Sequence, residues 1–139
     1  MKLTLAIIAG DIARPMMRRF LEAFRPIYDE VVVVEAIGSG KSSARLVAEA
    51  WAKEAGVTIR TGAYLNRPEH ADWPHVDDFA SARNLAWQIA EENGAEWVMW
   101  ADTDDIITPD DAKALRDVIE KHGHTFDIDR KSTRLNSSH

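Results

Sequence analysis

Apolar and polar positions alternate along this chain in two rhythms. Residues 3–9 (LTLAIIA), apolar except for Thr4 and closed by Gly10-Asp11, predict a strong first strand. Pro15 then suits the first turn of a helix, and Met16, Met17, Phe20, Leu21 and Phe24 recur at helical spacing up to Pro26. Val31 to Val34 predict a second buried strand, ended by Glu35-Ala36-Ile37-Gly38-Ser39-Gly40. Ser42 or Ser43 can cap the next helix, which carries Leu46, Val47, Ala50 and Trp51 and stops at Gly56. Val57 to Thr61 predict a short third strand, and Tyr64 to Val76, with two prolines and Trp73, a loop.

Asp77 or Asp78 can cap a helix whose apolar face is Phe79, Ala82, Leu85, Ala86, Ile89 and Ala90, ended by Asn93-Gly94. Trp97 to Ala101 form the fourth apolar run. Thr108-Pro109-Asp110-Asp111 opens a last helix with a cap, a proline at the first position and acids at the positive end of the dipole. Leu115, Val118 and Ile119 are its expected buried side. The order β-α-β-α-β-α-β-α predicts an α/β fold, a Rossmann-like and mostly parallel sheet with helices on both faces. No repeat and no interdomain linker interrupts it.

Composition narrows the chemistry. The 139 residues, 45% of them hydrophobic, suit one globular domain. A net charge of -6 without a basic stripe argues against a nucleic-acid surface. The absence of cysteine excludes disulfides and thiolate metal sites. The first apolar run is too short for an export signal or a membrane span, so the expected location is the cytoplasm. Residues 129–139 (DRKSTRLNSSH) have no hydrophobic periodicity and resemble a translated sequencing adapter. The expectation is a domain over 1–128, a fragment of a longer protein, followed by a non-native tail.

The candidate chemistry begins where the fourth apolar run ends. Asp102, Asp104 and Asp105 follow it at once. Carboxylates gathered at a strand end repel one another and lose hydration, and a divalent cation offsets both costs. Oxygen ligands favour Mg2+ or Mn2+, which commonly share substrate phosphates. The plain alternative is a solvated acidic turn leading into the Pro109 helix. A second enzymatic reading is a P-loop-like NTPase, with Gly38-Ser39-Gly40-Lys41-Ser42 cradling phosphate and Asp102 beside Mg2+. That pattern needs a glycine five residues before Gly40, where Glu35 stands. A third reading is a non-catalytic nucleotide-binding or scaffold domain.

Three stretches taken together carry more information than any one. Glu35 closes the second strand, DDFASARN spans 77–84, and EWVMWADTDDII spans 96–107. In this combination the chain resembles glycosyltransferase family 2, over about residues 3–122 and most specifically over 77–107. The segment 77–107 is similar to a subgroup pattern of roughly W-x-D-D-F-S-x-A-R-N, a helix, then W-x-x-x-x-D-A-D-E. The sequence departs from the family at Glu35-Ala36-Ile37-Gly38-Ser39, one residue longer than the usual Asp-Asp-Gly-Ser, and in lacking the usual first-strand ending.

The resemblance implies a GT-A fold, of which this chain holds the N-terminal, nucleotide-sugar-binding half. It implies metal-dependent, inverting transfer of a sugar from an NDP-sugar, UDP-sugar favoured, to an acceptor it does not specify. It further implies that Ala9 and Asp11 line the base pocket, that Glu35 contacts base and ribose, and that Asp78, Arg83 and Asp102 lie along the nucleotide-sugar. Asp102 and Asp104 would hold Mn2+ or Mg2+ on the diphosphate, with Asp105 the acid after them. The catalytic base of the family falls beyond residue 105, past the expected end of the fragment. His70, His75, His122 and His124 lack ligand spacing and are expected at the surface.

Overall fold

The computed structural model describes residues 1–10, 13–37, 44–73 and 76–122. Four parallel strands, β1 (Leu3–Ala9), β2 (Glu30–Ile37), β3 (Thr58–Leu65) and β4 (Trp97–Trp100), lie in the order β3-β2-β1-β4. Four helices connect or follow them: α1 (Arg14–Phe24), α2 (Ala44–Ala55), α3 (Phe79–Glu92) and α4 (Pro109–His122). The expected α/β, Rossmann-like sheet with helices on both faces is what the chain forms.

Strand periodicity divides the core in two. Leu3, Leu5, Ile7 and Ala9 of β1 join Val31, Val33, Trp97 and Met99 beneath α1, α2 and α4. Ala6, Val32, Val34, Val98 and Trp100 face α3 on the other side. Leu3, Leu5 and Ile7 are fully buried, each worth roughly 1.5–3 kcal/mol of transfer free energy. The chain adds β2 and β3 on one side of β1, then crosses back to place β4 on the other. Right-handed crossovers require that returning helix, α3, to lie on the opposite face.

Small residues let α3 sit close. Its buried stripe is Ala82, Ala86 and Ala90. Gly62 of β3 lies beneath it, and a Cβ there would stand 2.7 Å from Ile89 Cδ1. Gly94, at φ 81, turns the chain out of α3 toward β4. On the other face Arg116 of α4 donates to Ile27 O at 2.7 Å and Asp29 Oδ2 at 3.0 Å, and Asp29 Oδ2 also accepts from Leu3 N–H. That network fixes α4 to the start of the sheet.

Several expected boundaries shift. β3 runs to Leu65, so Tyr64 belongs to a strand and not to a loop, and Pro68–His70 is a short 3-10 turn. Leu46 and Ala50 are exposed, because Ala44, Ala48, Trp51 and Ala52 form the inner face of α2. Val118 is exposed as well; Ala112 and Ile119 are the buried residues of α4, with Leu115 packed beside them. No helix among the described residues is long and apolar enough to cross a membrane.

Candidate functional site

All four strands point their C-terminal ends to one edge, and the strand order reverses between β1 and β4. Ligands of open α/β sheets bind in the crevice outside such a reversal. Ala9 ends β1 there, level with Glu35 of β2. β4 stops pairing at Trp100, opposite Ala6, and Asp102 follows two residues later. Glu35 and the acid turn therefore flank the end of β1 from opposite sides.

The turn after β4 folds on itself. Asp105 N–H donates to Asp102 O at 2.9 Å, and Asp102 N–H donates to Asp105 Oδ2 at 2.9 Å. Ala101 and Thr103 are buried, which leaves Asp102 and Asp105 half-buried and Asp104 exposed. One carboxylate oxygen from each of the three aspartates lies within 4.8 Å of the others. Octahedral Mg2+ or Mn2+ at about 2.1 Å from its ligands spaces neighbouring oxygens roughly 3 to 4 Å apart. The acid turn thus fits such an ion with small side-chain adjustment.

Glu35 is buried, at 5% exposure, and its Oε2 accepts Arg45 N–H in the first turn of α2 at 3.2 Å. The Arg45 guanidinium stands 3.9 Å from the other carboxylate oxygen. Its carboxylate therefore tethers a helix N-terminus to the end of β2, where negative charge is favoured.

The adjacent acids before α3 have separate tasks. Asp78 is the cap: it accepts Ser81 N–H at 3.1 Å and the Ser81 hydroxyl at 2.8 Å, and these bonds hold its carboxyl below the usual range. Asp77 turns inward, its side chain fully buried. It accepts from the Tyr64 hydroxyl at 2.6 Å, Arg67 N–H at 2.9 Å, Arg67 Nε at 3.3 Å and His70 Nδ1 at 2.9 Å. Asn66 Oδ1 in turn accepts Asp77 N–H at 3.1 Å, and His70 stacks on Trp73 with ring centroids 3.8 Å apart. His70 is thus an anchored residue and not the plain surface histidine expected. Two neighbouring aspartates before a helix look equivalent in sequence; the only hint of this cluster was the density of Tyr, Asn, Arg and His just upstream.

Arg83 lies on the second turn of α3. Its guanidinium carbon stands 5.0 Å from the Phe79 ring centre and 4.9 Å from that of Trp100. Trp100 precedes Asp102 by two residues, so Arg83 packs against the segment leading into the acid turn. The structure thus groups Ala9 with Glu35, the three aspartates with each other, and Arg83 with the end of β4. Asp11 and Gly38–Ser42, the phosphate loop of the NTPase reading, lie outside the described residues, as do His75 and His124.

The sequence matches no protein-family model and no curated protein. Its fold is similar to crystal structures of S. aureus TarS. TarS 1–349, alone and in complex with UDP, superposes with a TM-score of 0.62 at 17% identity, over 88% of this chain and 33% of that one. A longer TarS structure gives a TM-score of 0.59 at 18% identity, over 88% of this chain and 20% of that one. The chain therefore spans a third or less of the proteins it resembles, and at this identity the likeness is one of fold.

Proposed function

We propose that this chain is the nucleotide-sugar-binding part of a metal-dependent, inverting glycosyltransferase of the family 2 type. The observation that carries the reading is the convergence of Asp102, Asp104 and Asp105 at the C-terminal edge, beside the strand-order reversal. The fold shared with TarS, which has been crystallised with UDP, supports a uridine nucleotide as the bound group. Donor sugars of this kind are made in the cytoplasm, and the reading places the protein there.

Each residue then has a task. Ala9 and Glu35 would border base and ribose, with Asp11 next along the chain, and Asp78 would lie along the nucleotide at the start of α3. Asp102 and Asp104 would hold Mn2+ or Mg2+, with Asp105 keeping the turn closed through the Asp102 N–H. A divalent ion supplies positive charge to the diphosphate as the bond to the sugar breaks. Arg83 would add a second positive charge from α3. No acceptor surface and no catalytic base is assigned among the described residues.

Calorimetric titration of UDP with and without Mn2+ tests the reading. Binding that requires Mn2+ and vanishes in Asp104→Ala is the expected result. Equal binding of UDP without metal, or none at all, would overturn it.

A further inference from the structure

We infer that Phe79 and Trp100 are positioning residues that hold the Arg83 guanidinium in an aromatic corner, ready for the donor diphosphate. This rests on the nucleotide-sugar reading above. The two rings meet at 77° with centroids 5.8 Å apart, so they form two walls and not a parallel sandwich. Arg83 stands about equally far from both, at 5.0 and 4.9 Å. Guanidinium is attracted to aromatic faces at this distance. Walls at nearly a right angle restrain both swing and tilt of a side chain that is otherwise rich in rotamers.

The walls come from different elements. Phe79 sits four residues before Arg83 on α3, the spacing that places two side chains on one side of a helix. Trp100 comes from β4 across the packing layer and is buried. Phe79 is 44% exposed, whereas the helix packs through Ala82, Ala86 and Ala90. Core burial therefore does not account for an aromatic residue at position 79; contact with Arg83 and Trp100 does. A planar fork fixed before binding loses less freedom when it meets a diphosphate, so the corner raises affinity without touching the nucleotide.

The test compares UDP, titrated by calorimetry with Mn2+, and uridine, titrated by NMR, across Phe79→Leu and Phe79→Tyr. Leucine keeps apolar cover and removes the ring; tyrosine keeps the ring. Phe79→Leu is expected to weaken UDP about three- to tenfold, leave uridine unchanged and melt within a degree or two of wild type. Phe79→Tyr is expected to bind UDP as wild type does. Unchanged UDP affinity in Phe79→Leu, equal losses for UDP and uridine, or a loss that tyrosine fails to restore would each overturn the inference and leave the nucleotide-sugar reading standing. Failure of the wild-type protein to bind UDP with Mn2+ would remove both.

Discussion

The Tyr64 hydroxyl donates to Asp77 Oδ1 across 2.6 Å, joining the end of the edge strand β3 to the residue before the α3 cap. That bond, with burial, pushes the Tyr64 hydroxyl up to about 12. The same bond is the first cause holding Asp77 far below the usual carboxylate range, and Arg67 and His70 add to it. For Tyr64 the folded value exceeds the unfolded one, so its contribution is complete below about pH 10 and is lost as pH rises through about 12. In Asp77→Asn, Tyr64 should ionise closer to 10 by ultraviolet difference absorbance.

Asp77 has the opposite sign. Its folded value is depressed, so its contribution is present above about pH 4 and is lost as pH falls through the folded value. Thermal melts of wild type and Asp77→Asn should differ above about pH 4 and converge below it. Amide exchange across 66–73 should quicken in the variant at neutral pH, because four donors lose a charged acceptor.

The acid turn predicts a crossing of effects. Without divalent ions, Asp104→Asn relieves repulsion among carboxylates gathered within 4.8 Å and should melt at or slightly above wild type. With saturating Mn2+ the order reverses, because binding to the folded state adds about 2.7 kcal/mol at a hundredfold excess over Kd. Differential scanning in EDTA and in Mn2+ reads both arms. A variant less stable in both conditions would show that Asp104 serves the turn itself.

Glu35 offers a cleaner structural test. Glu35→Ala leaves the part-buried Arg45 N–H of α2 without its acceptor, at a cost of about 1 kcal/mol. Glu35→Gln keeps an oxygen in place and should lose less than half as much. Urea midpoints of the two variants check the ratio.

Gly94 isolates backbone strain. Nothing lies within 4 Å of where its Cβ would be, yet φ is 81. Gly94→Ala should therefore cost roughly 1–2 kcal/mol, measured as chemical stability, with UDP binding unchanged.

Much of the fold was legible because buried parallel strands need unbroken apolar runs: 3–9, 31–34 and 97–101 carry no polar residue except Thr4. The caps were legible where chemistry is local, as in Thr108 Oγ1 accepting from Asp111 N–H at 3.1 Å. β3 was cut short because it is an edge strand. With exposed Arg60 and Thr61 and a glycine at 62, its far half has no hydrophobic run to reveal it. Gly62 is there for Ile89, a relationship between residues 27 apart in the chain. Val118 misled because it lies one lane over from Ala112, Leu115 and Ile119, and periodicity alone does not mark the edge of a buried stripe. Pairing acids by sequence found the 102–105 turn, where neighbours converge. It did not separate Asp77, whose partners lie upstream at Tyr64, Arg67 and His70, from Asp78, whose partner is Ser81 in the first turn of α3.

The alanine stripe of α3 has one more effect. Ala82, Ala86 and Ala90 act as a gauge: their methyl groups set how high the helix rides above the sheet, and Arg83 is carried at that height. Ala86→Val would work as a shim, lifting the guanidinium off the Trp100 ring. The reach of a charged side chain on the rim is thus metered by the smallest side chains beneath it.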